Sequence, residues 1–146
     1  MGAIGGLKIL ERACDSHREF DNLFYTLRAD GFFEHIHTRA MRVVIEGTGL
    51  AAATQTEPEF RFEGVEGTLV CIWSPKYSSS FSVPGYHFHF ISKDRTKGGH
   101  VLDCAARTLH IAIQTLSEHD VRLPEAGSFL KTNLAVDTRL DLQQAE

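Results

Sequence analysis

From Tyr86 to Ile91 the chain alternates aromatic or aliphatic residues with histidine, and Gly98-Gly99-His100-Val101 follows a short polar stretch. Little besides a strand hairpin satisfies both segments. Side chains two apart on a strand share a face, so His87 and His89 point one way and Phe88 and Phe90 the other. A turn across Asp94-Arg95-Thr96-Lys97 then returns the chain, and His100, eleven residues beyond His89, comes to lie alongside the first two histidines on the paired strand. Three neutral imidazoles leave a metal with open coordination positions. That is the arrangement of a catalytic zinc-type site, whereas closed structural sites usually take four ligands, often thiolates. The competing reading of an isolated His-x-His is the wet face of a half-exposed strand. The third histidine behind Gly98-Gly99 favours Zn2+ or another divalent metal.

At 146 residues, 42% of them hydrophobic and 10% aromatic, the chain is long enough for one domain over 1–146 with a real core. The formal charge of -4, with 15 basic residues spread without a run, provides no electrostatic footprint for nucleic acid or an anionic membrane. Small-molecule chemistry is the class left standing. Cys14, Cys71 and Cys104 are odd in number and far apart, which suits neither a disulfide framework nor a paired-thiolate metal site and points to a reducing compartment. No apolar run approaches the roughly 20 residues of a membrane span. The start Met1-Gly2-Ala3-Ile4-Gly5-Gly6 has neither a basic leader region nor the Ser/Thr of a myristoylation signal. The expected location is cytoplasmic.

The spacing of Leu7, Ile9, Leu10, Ala13, Cys14, His17 and Phe20 predicts an amphipathic helix. Asn22 to Arg28 reads as a strand, turned by Ala29-Asp30-Gly31 into a second strand from Phe32 to Val44. Further strands fit Gly67 to Ser74, Gly85 to Ser92, Gly99 to Ala105 and Arg107 to Leu116, with Pro75 and Pro84 punctuating one loop and a short helix around Glu125 to Lys131. The fold class is therefore α+β, one N-terminal helix packed on a mostly antiparallel β-sheet.

Rival signals are weaker. Val43 to Ala52 imitates a dinucleotide fingerprint, but Glu57-Pro58 leaves its helix too short. Glu34-His35-Ile36-His37 is a second His-x-His without a third partner at hairpin spacing, so a solvated polar face is favoured. His17, His110 and His119 stand singly, and Ser78-Ser79-Ser80 lacks the glycines of a nucleophile elbow.

Several segments, in this order, resemble acetolactate decarboxylase: Phe24 to Gly31 with Thr38-Arg39, Glu66 to Val70 leading to Ser74-Pro75, Val83 to Ile91, Gly98 to Asp103, and Arg122-Leu123-Pro124. The resemblance runs from about Leu10 to the end of the chain. It implies a carboxy-lyase that converts 2-acetolactate to acetoin and carbon dioxide with a divalent metal, usually zinc, on the histidines matching His87, His89 and His100. It further implies that Arg39 handles substrate and that Glu146 reaches into the site. Members of the family carry additional chain before the region matched here, including a glutamate of the active site. The alternative is a non-catalytic metal-binding relative. A homo-oligomer is expected, because a sheet without its family partners exposes strand edges.

Overall fold

A computed structural model describes residues 4–40, 43, 57–125, 127 and 129–133. It contains one α-helix, α1 (Leu7–Asp15), and four strands, β1 (Phe24–Arg39), β2 (Glu59–Ser74), β3 (Gly85–Ser92) and β4 (Gly98–Leu116). All pairings are antiparallel: β1 with β2 and β4, and β3 with β2 and β4, so the sheet closes into a barrel in the order β1-β2-β3-β4. The expected helix-on-antiparallel-sheet class is found, with the sheet curled shut. Closure gives each of the four strands two neighbours and an interior face.

That interior holds Tyr25, Leu27, Phe33, Leu69, Trp73, Phe88, Phe90, Val101 and Leu109, all buried. Phe33 and Phe90 meet edge to face, with centroids 5.3 Å apart. Helix α1 buries Leu10 and Cys14. Its first turn is fixed by Asp103 of β4, whose Oδ1 accepts the Leu7 N–H at 3.0 Å. The carboxylate satisfies one of the donors that a helix start leaves open, at the end where the helix dipole favours negative charge.

The helix stops at Asp15, short of the apolar pattern that extends to Phe20. Arg18 supplies the physical reason. Its guanidinium lies 3.6 Å over the Trp73 ring and is held by Asp15 at 2.8 Å and Asp21 at 2.9 Å. The Tyr86 hydroxyl donates to the same Asp15 oxygen at 2.8 Å. A cation stacked on an indole and paired with two carboxylates outweighs continuing one helical turn.

The hairpin suggested by Asp30-Gly31 does not form. Strand β1 runs straight through it, with Gly31 opposite both Gly67 and Leu109. A Cβ at Gly31 would sit 2.5 Å from the Thr108 carbonyl oxygen and 2.7 Å from Leu109 Cδ2, so the glycine permits close passage of strands rather than a turn. Asp30 accepts hydrogen bonds from Thr68 Oγ1 at 2.6 Å and from Arg28 at 2.8 Å. The two strands expected on either side of Ala106 are one strand, β4, whose ladder with β1 shifts register near Phe33 and between His37 and Thr38. Strand β2 begins earlier than expected, at Glu59. The predicted C-terminal helix reduces, among the described residues, to a 3₁₀ turn at Phe129–Lys131. The dinucleotide-like run lies almost wholly outside the described residues.

Cys14, Cys71 and Cys104 are all buried. Burial, reinforced by neighbouring carboxylates, pushes the Cys14 thiol up to about 11 and that of Cys104 up to about 12. These are packing groups rather than nucleophiles. No helix among the described residues is long and apolar enough to cross a membrane.

Candidate metal centre

The β3–β4 hairpin sets the register on which the site depends. Ser92 N–H donates to Lys97 O at 2.9 Å, and Arg95 takes a positive φ of 59° in the loop. Asp94 organises that loop by accepting from Ser92 Oγ at 2.5 Å, Thr96 N at 3.0 Å and Thr96 Oγ1 at 2.8 Å. These hydrogen bonds hold its carboxyl well below the usual carboxylate range. With the loop closed this way, His89 pairs directly with His100.

Gly98 and Gly99 belong to β4 itself, not to a turn. Gly99 has φ +144°, and a Cβ there would lie 2.5 Å from the Arg39 carbonyl oxygen; a Cβ on Gly98 would lie 2.9 Å from that of Phe90. The glycines let β4 pass tightly between β1 and β3 just before His100. A cross-strand row results. Glu59 pairs with Arg39, Arg39 with His100, and His100 with His89, so four polar side chains from four strands share one face. His87 stands two residues from His89, on the same face, opposite Ile72. Its alternate neighbours Phe88 and Phe90 are buried and anchor the strand from the other side.

One ring nitrogen from each of His87, His89 and His100 lies within 4.8 Å of the others. Ring centroids are 4.8 Å apart for His87–His89, 4.8 Å for His87–His100 and 5.5 Å for His89–His100. Nε2 of His89 is 2.9 Å from Nε2 of His87. Tetrahedral nitrogen ligands at about 2.0 to 2.1 Å from zinc stand about 3.4 Å from one another, inside the range found here. Three imidazoles with so little else between them suit a borderline-soft divalent cation. His89 is exposed, and His87 and His100 are partly buried, so the cluster opens to one side.

Arg39, beside His100 in the row, is mostly buried, and its Nε lies 3.2 Å from Oε2 of Glu57. The Glu57 side chain is only 6% exposed. The next residue, Pro58, ties the segment to the end of β1 by accepting the Ala40 N–H at 3.1 Å. Glu57 is absent from the sequence reading, where Glu57-Pro58 serves only as a helix breaker. No spacing rule points to it, because its partner lies across a strand pairing. Glu146 lies outside the described residues.

Four of the other five histidines have local contacts. His35 Nε2 meets Asp103 Oδ2 at 3.2 Å, and His37 Nε2 meets Glu59 Oε2 at 2.8 Å. His17 Nδ1 contacts the Ala13 carbonyl at 2.9 Å, and His119 packs against Phe24 and Phe81. Ser78 Oγ donates to Pro75 O at 2.7 Å inside the loop before β3. A groove of about 830 Å³ between α1 and β4, lined by Cys14, Tyr25, Leu109 and Ile113 among others, contains none of the three clustered histidines.

Comparison with known proteins agrees with this arrangement. Residues 5–136 match the family model described as alpha-acetolactate decarboxylase. An alpha-acetolactate decarboxylase of Methanosarcina mazei is 36% identical over 96% of this chain and 49% of its own length. That of Brevibacillus brevis is 33% identical over 94% of this chain and 48% of its own. A crystal structure of alpha-acetolactate decarboxylase from Bacillus subtilis strain 168 superposes with a TM-score of 0.93 at 31% identity, covering 99% of this chain and 62% of the other. The chain spans about half the length of the curated relatives it matches. With most of the chain, residues 5–136, matched by the family model and the barrel shared with solved members, the chain belongs to the alpha-acetolactate decarboxylase family.

Proposed function

We propose that the chain decarboxylates 2-acetolactate to acetoin and carbon dioxide at a divalent metal, zinc by preference, held by His87, His89 and His100. The observation that carries this reading is the convergence of three imidazole nitrogens within 4.8 Å, in the same cross-strand row as Arg39. A metal held there would supply Lewis-acid polarisation of the ketone and an electron sink for the charge left behind, worth several kcal/mol.

The protein's own contribution is positioning. The histidines must be neutral to act as ligands, and the β3–β4 pairing sets their register. Arg39 presents a planar guanidinium that can grip a carboxylate through two parallel hydrogen bonds. Gripped so, the carboxylate is oriented with the breaking carbon–carbon bond out of the plane of the ketone. Glu146, by family resemblance, would donate the proton that completes acetoin. The reading places the protein in the cytoplasm, acting on a small molecule without nucleic acid or membrane. It also takes it to be a homo-oligomer, supported by Phe32, Val70 and Ile72 exposed on the outer barrel face. A clean monomer in sedimentation at micromolar concentration would remove that last element.

A second reading is a non-catalytic relative that keeps the metal, and the exposure of His89 favours it. Incubating zinc-loaded chain with acetolactate and measuring acetoin separates the two. Wild type should exceed the spontaneous background. Arg39→Lys, which keeps the charge and loses the fork, should retain zinc and lose at least about tenfold in kcat/KM, roughly 1.4 kcal/mol. Turnover like wild type in that variant removes the carboxylate grip, and no acetoin from wild type hands the case to the second reading.

A further inference from the structure

Arg39 is not held by its own strand alone. Its Nε lies 3.2 Å from Oε2 of Glu57, and the side chains are 14% and 6% exposed. A carboxylate this buried is expensive to desolvate unless its partner is fixed and close. Glu57 has little freedom to leave. Pro58 restricts the backbone of the residue before it, and its carbonyl is bonded to Ala40, directly after Arg39. The ion pair is therefore built into the junction between the end of β1 and the start of β2.

The chemistry of guanidinium gives this contact a directional meaning. The group has two edges that can take a carboxylate in parallel hydrogen bonds, one that includes Nε and one formed by the two Nη atoms. An internal carboxylate on Nε claims the first edge.

We propose that Glu57 is a positioning residue: by its contact with Nε of Arg39, it sets the plane in which the guanidinium meets the substrate's carboxylate. This rests on the reading of Arg39 as the carboxylate grip. It adds that an Arg39 without Glu57 keeps its charge but loses a single orientation, because a long side chain with several rotamers must then be ordered by the ligand itself. Glu57 acts through Arg39 and touches no reacting atom.

The test is ligand binding with a spectroscopic readout. The probe is 2-hydroxy-2-methylpropanoate, which keeps the carboxylate and tertiary hydroxyl of acetolactate but has no ketone, titrated calorimetrically into zinc-loaded chain. Glu57→Gln should weaken binding about tenfold with zinc content unchanged. The Arg39 Nε–H resonance is expected downfield and slow to exchange in the wild type, and in Glu57→Gln it should move and exchange fast. In an Arg39→Lys background, Glu57→Gln should have no further effect on binding. Should Glu57→Gln fold poorly, Glu57→Asp, which keeps the charge on a shorter arm, is expected to give an intermediate loss. Wild-type affinity in Glu57→Gln, or an equal loss with and without Arg39, overturns the proposal. Binding in Arg39→Lys alone that equals wild type overturns the Arg39 reading and takes the Glu57 proposal with it.

Discussion

The chain carries the His-x-His pattern twice, His35/His37 on β1 and His87/His89 on β3, and the two pairs end in different chemical company. His35 meets Asp103 and His37 meets Glu59, each ring facing its own carboxylate across a strand pairing. His87 and His89 face each other at 2.9 Å and His100 directly across the hairpin. The spacing of the two histidines is the same, but the rings meet acids in one case and a third imidazole in the other. A His-x-His becomes a ligand pair through what its neighbouring strand places opposite. With a carboxylate in that place, it becomes two separate hydrogen-bonded pairs.

The largest expected effect breaks this comparison outright. His89→Ala should lose stoichiometric zinc, measured as metal per chain after dialysis, whereas His35→Ala and His37→Ala should each retain one equivalent. Full zinc in His89→Ala, or loss in His37→Ala, would mean that the two pairs had been assigned the wrong way round.

Next in size is the glycine that brings the third imidazole into place, which the β1 pair has no need of. Gly99→Ala places a Cβ 2.5 Å from the Arg39 carbonyl oxygen at φ +144°, where both the clash and the backbone conformation oppose it. We expect about 2 to 3 kcal/mol of destabilisation in urea unfolding and weaker zinc binding. Gly85 is the internal control, since its φ is +101° but nothing lies within 4 Å of a Cβ there. Gly85→Ala should cost about 1 kcal/mol and leave zinc unaffected. Equal costs at the two glycines would show that the tight passage of β4 contributes nothing.

The smallest effect concerns the acid partners of the β1 pair. Burial raises the Asp103 carboxyl, but the Leu7 N–H and the His35 ring outweigh it, so the group is held below the usual carboxylate range. A lowered folded-state value means stability that is fully present above the unfolded value near 3.9 and lost as the pH falls through the folded one. The carboxylate is half exposed and screened, so the contribution is about 0.5 kcal/mol or less. Thermal melts should show Asp103→Asn slightly less stable than wild type at pH 7, with the gap closing below about pH 4. A constant gap across that range would remove the charge from the explanation.

What could be read from residues alone was what is local. The β3–β4 hairpin follows from alternation, a polar turn and a spacing of eleven, and His89 does pair with His100. The helix was legible for the same reason, apart from its end, where Arg18 answers to Trp73, far along the chain. Asp30-Gly31 misled because a turn and a close strand passage call for the same residue, and only Thr108 and Leu109 distinguish them. Barrel closure and the Arg39–Glu57 pair were not legible, since both depend on which strands become neighbours. Glu146 remains an inference from resemblance.

The barrel's closing seam also has a consequence in time. All three imidazoles lie within one hairpin, so chain closure over about a dozen residues suffices to assemble them. Arg39 joins them through the β1–β4 ladder, where it stands opposite His100, about sixty residues on. Closing the longer loop costs roughly 1.4 kcal/mol more in chain entropy, and contacts so remote in sequence slow folding. The hairpin that would hold a cation can thus assemble early from nearby chain, and the group that orients a carboxylate beside it arrives with the last stitch of the fold.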